Sequence, residues 1–193
     1  MRLPRLLALL AHRAHLAHLA LLSVVVLSAA PLGAQRIAPS QRGSVTQTVA
    51  FTDVSIVYGR PVARGRTLFG GIVPWNDVWH PGADSASRIA FTHDVRVEGR
   101  DVKAGEYSVW LVPREHAPWT VILSRSARAW HRNYPGEAQD ALRVDVPIER
   151  GTHMESLAYY FPAVDADSAT LRIHWGETIV PLKLVAPWRT NGG

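Results

Sequence analysis

The chain has 193 residues, with 21 basic and 16 acidic side chains, a formal charge of +5, a pI near 10.1 and no cysteine. Without cysteine it forms no disulfide, carries no thiol nucleophile and builds no cysteine-ligated zinc site, so burial of apolar surface must hold it together. No lysine-rich run or basic helix is present, which argues against a nucleic-acid partner.

Residues 1–34 have the layout of a secretory signal peptide: Arg2, Arg5 and Arg13 at the start, an apolar core from Leu19 to Leu27, and small residues up to Ala34. The apolar run is shorter than the roughly 20 residues a membrane span needs. Export to the periplasm or the extracellular space is expected, with no transmembrane anchor after cleavage. What remains is 159 residues with 18 basic and 16 acidic side chains, one ordinary domain of charge about +2. Residues 35–43 are expected as a disordered N-terminal segment, 44–187 as the folded domain and 188–193 as a loose tail.

Short alternating apolar runs cut by Gly, Pro and Asp then follow, the pattern of half-buried strands. Residues 44–51 and 54–58 are expected as the first hairpin, turning at Thr52 and Asp53. A Gly- and Pro-rich stretch, 59–84, has no sustained alternation and is too long for a plain hairpin loop, which marks it as a functional segment. Strands are expected next at 87–92, 95–99, 106–113 and 119–124. In 106–113 both faces carry apolar residues, which favours a sheet inside a sandwich. After an irregular region at 126–141, strands are expected at 142–148, 154–161, 169–175 and 178–185, the last two forming a hairpin across Gly176 and Glu177. Pro181 suggests an edge or a bulge. About nine short strands without intervening helices predict an all-β, single-domain antiparallel β-sandwich, jelly-roll-like or a partly open barrel.

No G-x-S-x-G elbow, H-E-x-x-H, Walker A loop or G-x-G-x-x-G is present, and no cofactor is expected. His80 and Asp84 in "HPGADS" are the best local pair, because a carboxylate can fix an imidazole tautomer for ligation or base chemistry. Together with a distant histidine they would make a metal-assisted hydrolase. Pro81 and Gly82 explain the same residues as a turn. Ser85 or Ser87 with His80 is a weaker nucleophile arrangement. A more coherent set is Arg60, Arg64 and Arg66 with Trp75 and Trp79. Guanidinium forks recognise anions and indole faces stack on sugars, so this set points to an anionic small molecule or a glycan. The alternative is purely structural: arginines pinning the loop to backbone carbonyls and tryptophans plugging the end of the sandwich.

The order "YGRPVARGRTLFGGIVPWNDVWHPGAD", continued by "FTHDVRVEGRDVKAGEYSVWLVP" and "WTVIL", resembles the bacterial family known as domain of unknown function 2911 over residues 58–123. The resemblance singles out Arg60, Pro61, Gly65, Arg66, Phe69, Gly70, Trp79, Gly82, Ala83, Gly105 and Tyr107. Its glycines and prolines read as backbone-geometry positions, and Arg60, Arg66 and Trp79 as contact residues. The chain has His80 where the family pattern suggests Arg and Asp84 where it suggests Asn, which weakens the enzyme reading. Members look exported, and the family name implies no activity. The expectation is therefore a non-catalytic binding or envelope-associated module with candidate residues Arg60, Arg66, Trp79, His80 and Asp84. The sequence leaves its oligomeric state open.

Overall fold

The computed structural model describes residues 37–130 and 133–187. The leader assigned to 1–34 and the tail assigned to 188–193 lie outside the described residues. Ten strands form among the described residues: β1 Gln41–Val49, β2 Thr52–Arg60, β3 Arg88–Phe91, β4 Val95–Val97, β5 Arg100–Val102, β6 Gly105–Val112, β7 Trp119–Ser124, β8 Asp140–Val146, β9 Glu149–Val164 and β10 Ser168–Val185. They pair antiparallel throughout, in a six-stranded sheet of order β1-β2-β3-β6-β7-β8 and a four-stranded sheet of order β5-β4-β10-β9. This is the expected all-β sandwich.

Alternation explains how the sheets pack. Val54, Ile56, Ile89, Val109, Leu111, Val121 and Leu123 point inward from the large sheet and meet Leu157, Tyr159, Leu171, Ile173, Leu182 and Leu184 from the small one. Each such aliphatic side chain contributes about 1.5–3 kcal/mol by leaving water. In β6 the other face is buried too: Trp110, Val112 and Ile122 of β7 pack under Ala86, Ala129 and Tyr134. The described parts of this irregular region, 126–130 and 133–139 with a 3₁₀ turn at Glu137–Gln139, thus supply the outer cover of the large sheet through Ala129 and Tyr134.

Four local expectations are corrected. The first hairpin turns at Ala50 and Phe51, where Val49 pairs with Thr52 and Ala50 takes a φ of 51°; Thr52 and Asp53 belong to β2. Ala-Phe carries no turn signature, so the sequence pointed two residues too far. Gln41–Gly43, expected in the disordered segment, extend β1 and pair with Tyr58–Arg60. Residues 100–102, outside the expected strands 95–99 and 106–113, form β5 against β4. Finally, 169–175 and 178–185 are one strand, β10, which runs antiparallel to β9 from Ala169 to Ile179. Gly176 (φ 58°) makes a bulge there, with register shifts on both sides of it, so its turn-like conformation bends the strand without reversing it. Pro181 falls between the last pairing of β10 with β9, at Ile179, and its first with β4, at Leu184.

Candidate functional site

The long 61–87 connection is built from tight local turns pinned to both sheets. Its start continues β2 onto β9: Ala63 N donates to Glu155 O (2.8 Å) and Leu157 N to Pro61 O (3.0 Å). Arg64 (φ 52°) and Gly65 (φ 67°) then reverse the chain, and the Arg66 side chain folds back, donating Nε to Ala63 O (2.9 Å) and Nη2 to Val62 O (2.6 Å). The far end of the connection serves as a strand, because Trp79 exchanges both backbone hydrogen bonds with Leu111 (2.8 and 2.7 Å) on the stretch of β6 that β3 leaves bare.

Between these anchors the connection supplies an aromatic cluster. Phe69 stands 4.7 Å from Trp119, 5.8 Å from Trp79, 6.2 Å from Trp175 and 6.3 Å from Trp75 between ring centres, mostly edge-on. Trp79 stacks on Trp175 at 5.9 Å. Gly70 is required here: its φ is 78° and a Cβ would lie 2.4 Å from Trp75 Nε1. Leu68 packs over the β10 bulge, where a Cβ on Gly176 would meet its Cδ1 at 2.8 Å.

"HPGAD" is a turn held from beneath. Gly82 N donates to His80 O, and the buried Pro81 carbonyl accepts from Ser87 Oγ (2.7 Å) and Tyr159 Oη (2.8 Å). Tyr159 in turn donates its backbone N–H to Tyr58 Oη (3.2 Å) and packs its ring on Tyr58 at 4.5 Å. Burial drives the Tyr159 phenol pKa far up, so the hydroxyl stays a donor. Asp84 is exposed with a φ of 63°, a left-handed conformation that Asp and Asn tolerate best after Gly, which accounts for either residue at this position.

A cleft of about 500 Å³ opens beside this turn. Trp79, His80, Trp110 and Trp175 close its inner end; His80, Trp110 and Trp175 are buried, with the His80 ring edge-on to Trp110 at 5.8 Å, and Trp79 is half-buried. Arg64, Arg66, Asp77 and Asp84 stand on the rim, along with the apolar Ile72 and Val78. Four of the five expected site residues, Arg66, Trp79, His80 and Asp84, therefore meet at one cleft. Arg60 does not: its Nε donates to Leu157 O (3.2 Å) and its stem lies over Gly43. Ser87 is fully buried and its hydroxyl is committed to Pro81, whereas Ser85 is exposed. Among the described residues no three His, Asp or Glu side chains are grouped so as to hold a metal ion, and no helix is long and apolar enough to cross a membrane.

Sequence reasoning missed Asp77, Trp110 and Trp175 as cleft residues. The two tryptophans sit inside β6 and β10 and read as ordinary core positions. Only the crossing of the connection over both strands brings them to one wall. A family model described as a protein of unknown function (DUF2911) matches residues 40–184. No curated protein and no solved structure matches the chain.

Proposed function

The chain belongs to the DUF2911 family, and we propose that it is an exported, non-catalytic binding module whose cleft beside the "HPGAD" turn takes a glycan. One observation carries this reading: the half-buried Trp79 indole, backed by the buried Trp110, Trp175 and His80, is rimmed by two guanidinium groups and two carboxylates. A sugar ring has an apolar C–H face and an edge of hydroxyls. The Trp79 indole and the apolar Ile72 and Val78 match the face, while carboxylates accept from and guanidiniums donate to the edge. The rim charges balance, Arg64 and Arg66 against Asp77 and Asp84, which favours a hydroxylated ligand over a bare anion in this cleft. The signal-like layout of 1–34 supports export.

The experiment is a thermal-shift panel of the purified protein against cell-wall oligosaccharides, organic anions, divalent cations and a chelator. A sugar at 100 times its Kd stabilises by about 2.7 kcal/mol, roughly 5–10 °C for a domain of this size. The shift should be lost in Trp79→Ala and in Asp77→Asn, the second an exposed rim change that leaves the fold intact. Stabilisation by a divalent cation, abolished in His80→Ala, would replace this reading with metal-assisted hydrolysis. No response to any ligand, with Arg60→Ala and Arg66→Ala each destabilising, would leave a purely structural domain.

A further inference from the structure

A second cleft, of about 640 Å³, adjoins the first, and the two share Ser40, Ala83 and Asp84 as lining. Its chemistry differs. No indole lines it, and its floor includes Gly59 and Ala86. Its charged lining is Arg42, Arg88 and Arg128 against the single carboxylate of Asp84.

The register explains why these arginines converge. Arg42 pairs with Gly59 and Arg88 with Val57, so all four share one face of the large sheet. Ile56 and Tyr58, which alternate with Val57 and Gly59 along β2, point to the core, which makes that face the outer one. Arg128 comes from the segment that covers the neighbouring part of the same face. Gly59 leaves room for the divider between the clefts, since a Cβ there would lie 2.4 Å from Ala83 O. Among the described residues the only ion pair of the three arginines is a long one, Arg88 Nη1 to Glu106 at 3.5 Å. Arg42 and Arg128 are exposed and make no side-chain hydrogen bond or ion pair with any described residue.

We propose that the two clefts form one extended site for an acidic oligosaccharide, with a sugar ring against Trp79 and the carboxylate of a neighbouring uronic acid unit between Arg42, Arg88 and Arg128. This rests on the glycan reading of the first cleft and adds the class of glycan. Guanidinium groups bind carboxylates through paired N–H donors, and at an exposed cleft the gain is sensitive to salt.

Calorimetric titration of the purified full chain with trigalacturonate and with its methyl ester tests the proposal, because the two probes differ in charge and share the sugar backbone. The acid should bind about tenfold tighter at low salt, and the advantage should vanish near 0.5 M NaCl. Arg42→Gln/Arg128→Gln should bring the acid down to the affinity of the ester and leave the ester unchanged, with an unaltered melting temperature showing an intact fold. Equal affinity of acid and ester, or an advantage that survives the double variant, overturns the acidic-glycan inference and leaves the glycan reading standing. Monomeric galacturonate or inorganic sulfate binding as tightly as the trisaccharide overturns the extended site in favour of a lone anion cleft. No binding of either trisaccharide, together with no response to neutral sugars, overturns both readings.

Discussion

The carbonyl of Pro81 is the point through which the "HPGAD" turn is fastened to the core, and two hydroxyls hold it. Tyr159→Phe removes one of them but keeps the ring on Tyr58, and Ser87 Oγ still satisfies the carbonyl. The cost is that of one exchanged hydrogen bond, about 1 kcal/mol. Ser87→Ala costs about the same for the mirror-image reason. The double variant differs in kind: it leaves a carbonyl buried with neither donor, which adds a desolvation penalty of about 1–3 kcal/mol to the two single losses. Urea unfolding should therefore give a total of about 3–5 kcal/mol, against about 2 for simple addition, at unchanged m-value. Each single change should lower the melting temperature by roughly 2–4 °C. A double-mutant cycle that closes within about 0.3 kcal/mol of additivity would refute this account, because it would mean that the carbonyl finds another partner when both donors are gone.

Gly59→Ala should destabilise by about 1–3 kcal/mol in the same assay, because its Cβ would press on the backbone oxygen of Ala83, which cannot swing aside as a side chain would. Tyr134 is held by Asp140 (2.7 Å) and Arg143 (2.9 Å), and burial, followed by the bond to Asp140, pushes its pKa up to about 12. An unfolded tyrosine ionises near 10, so the Tyr134 contribution is whole below pH 10 and lost as pH rises toward 12. The stability gap between the native chain and Tyr134→Phe should stay constant up to about pH 10 and close above it. Glu155 accepts from His153 Nε2 (2.9 Å) and from Arg64 N (2.7 Å), and these bonds hold its carboxyl below the usual glutamate range. Its contribution is present above the unfolded pKa and disappears as pH falls through the folded one. Glu155→Gln should accordingly lower stability at neutral pH and match the native chain under acid conditions, as followed by fluorescence of the tryptophan cluster.

Period-two alternation made most strands legible, and β7 falls at Trp119–Ser124 as the sequence predicts. Where the sequence misled, a conformation was read as a direction. Gly176 has the φ of a turn residue and serves as a bulge, because β9 continues alongside and supplies pairing on both sides of it. Ala50 and Phe51 turn the chain without any turn residue, because the apolar register of β1 and β2 fixes where they must reverse. The candidate site was half legible: Arg66, Trp79, His80 and Asp84 belong to one continuous stretch and can be found by reading along it. Arg60 looked equivalent to Arg66, yet it ends β2 and reaches across to β9, away from the cleft.

By itself the sequence determined what depends on local pattern: a β fold from alternation, the long connection from its glycines and prolines, and reliance on a packed core from the absence of cysteine. Tertiary structure decided what depends on residues far apart in the chain. Trp110 on β6 and Trp175 on β10 join Trp79 because the connection crosses between the sheets, and Arg42, Arg88 and Arg128 face one cleft because the strand register sets their side. Register and crossing are properties of paired strands, and no local pattern encodes them.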